Sequence, residues 1–254
     1  NQSVAVARAG SQVHHIGMIG EDNDWLRARL TGYGIDVNHV GTSTEPTGHA
    51  IINVDDTGEN AIVTLAGANF AQSLDAISGA LSGAEAGDTF MLQNEVSLKV
   101  EAARLAKKAG LFVVYSAAPF DPAIVRQVLP HVDLLVVNEV EAKQLAQALN
   151  LNASESPVKH LLVTRGAQGA IWRDQSTGEE IQADAFPVDP VDTTGAGDCF
   201  IGYAAAGLDQ GMSRADALRL AAAAAAVKVT RHGTADAIPD RSEVDAFLAR
   251  LETK

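Results

Sequence analysis

The chain has 254 residues, of which 46% are hydrophobic and 20% charged, a balance typical of a folded protein rather than a disordered one. Its 19 basic and 32 acidic residues give a net charge of −13, which argues against nucleic acid or an anionic membrane as partner, because either would repel it. The single cysteine excludes an intramolecular disulfide framework, and neither a membrane span nor a signal peptide is evident, so we expect a cytoplasmic protein.

Short apolar runs alternate along the chain with stretches of helical spacing. Because runs that are apolar on both faces suit a parallel sheet covered by helices, we predict a single α/β domain with ligands at the carboxyl ends of its strands. The predicted strands are Val13–Ile19, Phe90–Leu92, Leu111–Tyr115, Leu134–Val137 and Leu161–Val163, and the predicted helices between them are Asp22–Gly32, Ser97–Ala109, Asp121–Leu129 and Glu139–Leu149.

A predicted hairpin interrupts this alternation. His49–Asp55 and Asn60–Gly67 are joined by the short turn DTGE, which favours an antiparallel pair. Such a pair forms either a lid, at about residues 47–67, or an edge hairpin of the main sheet, and the pattern leaves both open.

The last third is predicted to be helical, with helices at Phe200–Leu208, Ser213–Thr230 and Ser242–Leu251. A glycine-rich turn, VDTTGAGDCF, precedes the first of them. Gly195 and Gly197 let successive backbone N–H groups converge at a helix start, which is a site suited to phosphate. Asp198 either caps this helix or acts as a base that takes a proton from an attacking hydroxyl, and the residues alone favour the cap.

Several motifs together resemble the PfkB family of carbohydrate kinases, its ribokinase-like members in particular. They are DTTGAGD, NEVE and TRGAQG before it, and VTRHG after it, and their order and spacing are shared over nearly the whole chain. The resemblance implies a ribokinase-like three-layer α/β/α sandwich with a mainly parallel sheet and a small β-strand lid. It also implies transfer of the γ-phosphoryl group of ATP to a sugar hydroxyl, first that of D-ribose to give ribose 5-phosphate.

Two alternatives remain at this stage. One is a kinase for another small sugar or a nucleoside, such as a ketohexose or a 2-keto-3-deoxy sugar acid. The other is a catalytically silent module that binds a nucleotide or a sugar. The retained Asp198 and its glycines favour catalysis.

The resemblance assigns roles at the sugar and the transferred phosphoryl group. It makes Asp198 the catalytic base, and it makes the amides of Gly195, Ala196 and Gly197 the groups that stabilise the phosphoryl group. For the sugar it implies Asn1 and Glu95 together with Asp198, and it places Asn69 near the hinge of the lid.

For the nucleotide, the resemblance implies that Asn138 and Glu141 organise Mg²⁺ and phosphate, Glu141 through water. It implies that Thr164, Gly166 and Gly169 form the turn that binds ATP. Without the resemblance, Asn138 would be an ordinary helix cap with Glu141 solvated beside it, and TRGAQG would be an ordinary loop.

The resemblance further implies a monovalent cation, usually K⁺, and a homodimer formed through the lid. The implied cation ligands are Asp192 and the carbonyl groups of Thr194, Lys228, Arg231 and Gly233. The alternative is that Asp192 ends a strand and Arg231 is a solvated charge at a helix end. The glycines, lysine, first strand and early sugar-binding aspartate that the family has before Asn1 lack counterparts, so we expect a segment upstream of Asn1.

Overall fold

The computed structural model describes residues 1–54, 60–151 and 158–252. The helices are α1 Gln2–Arg8, α2 Trp25–Gly32, α3 Leu74–Leu81, α4 Lys99–Lys108, α5 Pro122–Val128, α6 Glu139–Leu149, α7 Ala196–Asp209, α8 Arg214–Val229 and α9 Arg241–Glu252. The strands are β1 Gly17–Gly20, β2 Val40–Ser43, β3 His49–Val54, β4 Asn60–Leu65, β5 Thr89–Leu92, β6 Phe112–Ser116, β7 Leu134–Asn138, β8 His160–Thr164, β9 Ala170–Asp174 and β10 Glu180–Ala183.

The main sheet has six strands in the order β10-β9-β8-β7-β6-β5. Strands β5 to β8 are parallel, whereas β9 runs antiparallel to β8, and β10 runs antiparallel to β9. The predicted mainly parallel sheet is confirmed. In the register of β7 and β8, Asn138 lies opposite Thr164, so two predicted nucleotide residues are neighbours at the carboxyl edge of the sheet.

The sheet lies between two helical layers, because side chains on its strands alternate between two buried cores. Along β6, Val113 and Tyr115 are buried in the core that residues of α3 to α6 complete. Val114, between them, is buried in the core formed with α1, α7, α8 and α9. This arrangement confirms the three-layer α/β/α sandwich.

Helices α1 and α7 pack closely at Gly202. A Cβ atom placed on Gly202 would lie 2.4 Å from Cβ of Ala5 and 2.9 Å from the carbonyl oxygen of Gln2. Only a glycine permits this approach without moving a helix. The close packing positions the first residues of the chain beside the first turn of α7, where Asp198 lies.

The hairpin of β3 and β4 forms a two-stranded antiparallel sheet of its own, with Ile51 opposite Val63. Of the two alternatives that the pattern left open, the edge hairpin of the main sheet is therefore wrong for the described strands. The turn DTGE and Asp55 lie outside the described residues. At the base of the hairpin the backbone crosses itself closely. Gly67 has a φ of +46°, and a Cβ atom there would lie 2.1 Å from the carbonyl oxygen of Pro46.

Two predicted boundaries differ from the structure in ways that affect the site. The strand predicted at Val13–Ile19 is β1, Gly17–Gly20, which pairs with β2, while His14 before it makes only an isolated bridge to Asp36. The helix predicted to begin at Phe200 begins at Ala196, so Asp198 is inside its first turn.

In the part of the chain that the structure describes, no helix combines the length and apolar character that crossing a bilayer requires.

Candidate active site

The predicted catalytic aspartate lies in the first turn of α7, in contact with the first two residues of the given sequence. Its Oδ2 atom accepts a hydrogen bond from Nδ2 of Asn1 at 2.8 Å, and its Oδ1 atom accepts one from Nε2 of Gln2 at 3.0 Å. The carbonyl of the Gln2 side chain in turn accepts a hydrogen bond from the amide of Gln93, which follows β5. Two neutral amides therefore fix the orientation of the Asp198 carboxylate.

Gln2 and Gln93 were not predicted as site residues. Gln2 directly follows Asn1, and Gln93 is two residues before Glu95, so each adjoins a residue that the resemblance had assigned to the sugar. Gln2 is also only 9% exposed, which is unusual for a glutamine. A buried polar residue beside an assigned one is the signal that could have identified it.

The start of α7 differs in detail from the predicted anion site. Gly195, with a φ of +74°, is the N-terminal cap of the helix, so the alternative in which Asp198 caps it is wrong. The amide of Ala196 donates to the carbonyl of Thr193 at 3.1 Å and is not free. The amides of Gly195, Gly197 and Asp198 donate to no acceptor within the described part of the chain. Of the three amides predicted to stabilise the phosphoryl group, that of Ala196 is therefore occupied in this structure, whereas those of Gly195 and Gly197 are available.

Glu95 belongs to the same site electrostatically. Removal from water raises the pKa of its carboxyl group, and the negative charge of Asp198 raises it further. Glu95 also lies two residues after Gln93, whose amide bonds to the Gln2 side chain that contacts Asp198. Side chains that accept hydrogen bonds from sugar hydroxyls are of this type, so the two acids and Asn1 form a polar set suited to a polyol.

Asn138 and Glu141 form a reciprocal cap at the start of α6. The Oδ1 atom of Asn138 accepts from the amide of Glu141 at 2.9 Å, and Oε2 of Glu141 accepts from the amide of Asn138 at 2.8 Å. Burial raises the pKa of Glu141. Its second carboxylate oxygen has no partner among the described residues, so it can bind a water of a hydrated Mg²⁺ while the cap stays intact. The described ranges contain no group of three or more acids, histidines or cysteines arranged to hold a metal, so Mg²⁺ would take most of its ligands from phosphate and water.

The predicted ATP turn follows β8, and its two glycines have different surroundings. Gly166 has a φ of +54° and open space where a Cβ atom would lie. Gly169 has a φ of +83°, and a Cβ atom on it would lie 2.0 Å from the carbonyl oxygen of Ala183 in β10. Gly166 therefore leaves room for a ligand, whereas Gly169 is required by the packing of the turn itself.

Asn69 lies at the base of the hairpin, as the resemblance implied. A Cβ atom on Gly48, next to β3, would lie 2.7 Å from Nδ2 of Asn69. The carbonyl of Asn69 accepts a hydrogen bond from the amide of Ser97 at 3.2 Å, which joins the hairpin base to the loop that carries Glu95.

The groups predicted to bind a monovalent cation are largely occupied by hydrogen-bond donors. The two carboxylate oxygens of Asp192 accept from the amides of Thr194 and Gly233, each at 2.9 Å, and these bonds hold the pKa of Asp192 well below its usual range. Its main-chain carbonyl accepts from Nζ of Lys228 at 2.8 Å. The carbonyl of Lys228 accepts from the amide of Arg231 at 3.0 Å.

The oxygen atoms predicted to bind potassium do not fit that ion, because the ammonium of Lys228 already lies among them. Only the carbonyls of Thr194, Arg231 and Gly233 lack a donor among the described residues, and a fixed ammonium already lies at Asp192. The alternative in which Arg231 is merely solvated is also wrong, because its guanidinium pairs with both carboxylate oxygens of Glu243, the nearer at 2.6 Å.

Comparison with known proteins supplies the class to which this fold and site belong. A family model described as pfkB family carbohydrate kinase matches residues 1–241. The chain is 34% identical to a ribokinase of Haemophilus influenzae, over 98% of this chain and 85% of that protein. A ribokinase of Cryptococcus neoformans var. grubii in complex with ADP is 32% identical with a TM-score of 0.86, covering 96% of this chain and 86% of that one. Arabidopsis thaliana ribokinase complexed with ribose and ATP is 30% identical with a TM-score of 0.83, covering 97% and 85%.

The fold and the site thus define a phosphotransferase that uses an alcohol group as acceptor. The chain belongs to the PfkB family of carbohydrate kinases, which confirms the family and the enzyme class expected from its motifs.

Proposed function

We propose that the protein transfers the γ-phosphoryl group of ATP to D-ribose and releases ribose 5-phosphate and ADP. The observation that carries this proposal is the Asp198 carboxylate, which Asn1 and Gln2 hold in the first turn of α7. Beside it, the amides of Gly195, Gly197 and Asp198 have no acceptor among the described residues. Support for ribose and ATP comes from the relatives, which are ribokinases, one of them with ribose and ATP bound.

In this mechanism Asp198 acts as the general base. Each carboxylate oxygen can accept more than one hydrogen bond, so a sugar hydroxyl can donate to Asp198 while Asn1 and Gln2 stay in place. As the hydroxyl oxygen bonds to the γ-phosphorus, its proton passes to Asp198, and the bond from the γ-phosphorus to the bridging oxygen breaks to release ADP.

The start of α7 stabilises the charge of the transferred group. The amides of Gly195, Gly197 and Asp198 have no other acceptor in the described chain, and a helix N-terminus carries a partial positive charge. Fixed donors of this kind stabilise a phosphoryl group in transit without having to reorganise. Such a local positive site is what a protein with a net charge of −13 needs to bind ATP.

The nucleotide is proposed to bind along the ends of β7 and β8. Thr164 and Gly166 border it from the turn after β8, with Gly169 shaping that turn, and Asn138 and Glu141 face its phosphates. Mg²⁺ bound to the phosphates supplies charge neutralisation, and Glu141 would hold it through water.

The hairpin of β3 and β4 is proposed to act as a lid and as a dimer contact. Closing over the sugar, it would exclude water, which competes as phosphoryl acceptor. One face of the hairpin carries Ile51, Val63 and Leu65, which are 56%, 62% and 47% exposed. Apolar side chains on one exposed face favour a second copy of the chain as partner.

A cytoplasmic location, where ATP is available, stays a prediction.

The test of the proposed function is ADP release with a panel of acceptors: D-ribose, 2-deoxy-D-ribose, D-fructose and nucleosides. We expect D-ribose to give the highest kcat/KM. Asp198→Asn should lower kcat by roughly a hundredfold or more, since a general base contributes at least that much. Asp209→Asn, at the opposite end of α7, is the matched control and should leave kcat unchanged. Full turnover in Asp198→Asn would exclude the base role of Asp198. An acceptor with a higher kcat/KM than D-ribose would show that ribose is not the preferred substrate.

A further inference from the structure

A lysine is completely buried beside the turn that leads into α7. Lys228, near the end of α8, is 0% exposed, and its Nζ atom donates to the carbonyl oxygen of Asp192 at 2.8 Å. Among the described residues this carbonyl is the ammonium's only hydrogen-bond acceptor. Lysines are almost never fully buried without a carboxylate partner, so this one calls for a functional explanation.

The charges around Lys228 define where its ammonium lies. It interacts electrostatically with the Asp192 carboxyl group and with the thiol of Cys199, which directly follows Asp198 in α7. Burial lowers the pKa of Lys228, and Asp192 opposes that effect. The 2.8 Å hydrogen bond to the carbonyl oxygen of Asp192 places this positive charge at the loop that leads into α7.

The contacts of Asp192 connect this charge to the phosphoryl site. The carboxylate of Asp192 accepts the amides of Thr194 and Gly233, and Thr194 directly precedes Gly195, the cap of α7. A positive charge at Asp192 stabilises this carboxylate and, through it, the conformation of the glycine turn.

We infer that the ammonium of Lys228 supplies, as part of the chain, the positive charge that a monovalent cation would supply at Asp192, so that turnover does not depend on potassium. The inference rests on the proposed sugar kinase activity. A potassium ion at the same carboxylate would be repelled by the fixed ammonium, whose Nζ atom is bonded to the main-chain carbonyl oxygen of Asp192.

The first test compares ADP release from ATP and D-ribose in tetramethylammonium, sodium and potassium chloride at equal ionic strength. The wild-type rates should agree within about twofold, whereas Lys228→Ala should be slower by about tenfold or more in tetramethylammonium and should recover in potassium. Lys228→Met, which keeps the length of the side chain and removes the charge, should be slow in every salt because it leaves no room for an ion. Lys99→Met removes another largely buried lysine and should show no dependence on potassium.

The second test needs no turnover and therefore separates this inference from the proposed function. Potassium should raise the thermal unfolding temperature of Lys228→Ala above its value in tetramethylammonium, and it should leave the wild type unchanged. If no sugar is phosphorylated, the proposed function fails and this measurement still decides the inference.

Three outcomes would overturn the inference. One is a wild-type rate that rises severalfold in potassium over tetramethylammonium. Another is a potassium-specific rise in the unfolding temperature of the wild type. The third is a folded Lys228→Ala variant indifferent to potassium in both measurements. If neither Lys228 variant folds, the two wild-type measurements decide the question alone.

Discussion

The side-chain amide of Gln2 donates to Oδ1 of Asp198 at 3.0 Å, while its carbonyl accepts from Gln93. Helix α1, helix α7 and the loop after β5 thereby meet at one carboxylate. Gln2 is nearly buried, and both the NH2 group and the oxygen of its side-chain amide are hydrogen-bonded, so it holds the Asp198 carboxylate in one orientation. Gln2 is thus a positioning residue for the proposed base.

The first prediction separates orientation from charge at this contact. Gln2→Ala should lower kcat by about tenfold, because the base loses one of its two supports, and it should leave the shape of the pH profile unchanged. Gln2→Glu places a second carboxylate against Asp198, and two such charges repel, so the acid limb of the kcat/KM profile should move to higher pH. The measurement is kcat/KM for ribose across the acidic to neutral range. Identical profiles for the two variants would show that Gln2 does not face the working base.

The second prediction concerns Glu95, whose pKa is raised in the folded protein by removal from water and by Asp198. A raised folded-state pKa means that folding favours the protonated form, so its contribution to stability is present below the unfolded-state pKa and is lost as the pH rises through the folded-state pKa. Near neutral pH the ionised Glu95 therefore destabilises the fold. Glu95→Gln should raise the unfolding temperature there, and the gain should shrink on acidification.

The same variant should bind ribose more weakly, because the amide replaces a carboxylate that accepts hydrogen bonds from hydroxyls. The measurements are thermal unfolding as a function of pH and KM for ribose. Glu85→Gln, on an exposed loop, is the control and should change neither. A Glu95→Gln protein that is less stable than the wild type at neutral pH would contradict the argument.

The parallel core of the sheet was predictable because its strands are apolar on both faces. The run Leu134–Val137, for example, became β7 with almost the same bounds. Strands β9 and β10 were missed because charged residues interrupt them. Arg173 pairs with Glu180 at 2.8 Å, and the buried Asp174 pairs with Arg214 at 3.1 Å, so these charges are satisfied by partners that sequence periodicity does not show.

The site was predictable in its chemistry and less so in its contacts. The resemblance named Asn1 and Asp198, which the structure brings together across 197 positions of sequence. It did not identify Gln2 or the capture of the Ala196 amide by Thr193, because both depend on local geometry. For Lys228 the resemblance implied a role for the main-chain carbonyl group. The structure shows that its side chain is the unusual part, because the ammonium is completely buried and bonds to a carbonyl oxygen.

A third prediction uses the two glycines of the turn after β8 as a matched pair. Both have positive φ, so replacing either with alanine should cost about 1–3 kcal/mol of unfolding free energy from backbone strain. Gly169→Ala should cost about 1–3 kcal/mol more, because its Cβ atom would collide with the carbonyl of Ala183. Urea unfolding measures both variants. Equal losses of unfolding free energy in the two variants would mean that β10 can move away from the new Cβ atom without cost.

The fourth prediction tests the exposed face of the hairpin. Val63→Asp places a charge among Ile51 and Leu65 and should convert a dimer into a monomer. Thr64→Asp is the matched control, since neighbouring residues of a strand point to opposite faces, and it should stay dimeric. Light scattering coupled to gel filtration measures the mass of each. A wild-type protein with the mass of a single chain would contradict the proposed dimer.

The tight crossing of α1 and α7 at Gly202 has a consequence for how activity arises in the cell. During translation, Asn1 and Gln2 leave the ribosome long before Asp198 and Gly202 are joined to the chain. Until α7 follows, Val4 and Ala5 lack the surface that buries them, and the proposed base, which Asn1 and Gln2 orient, does not yet exist. A nascent polypeptide interrupted before that helix is therefore an inactive product rather than a slow enzyme.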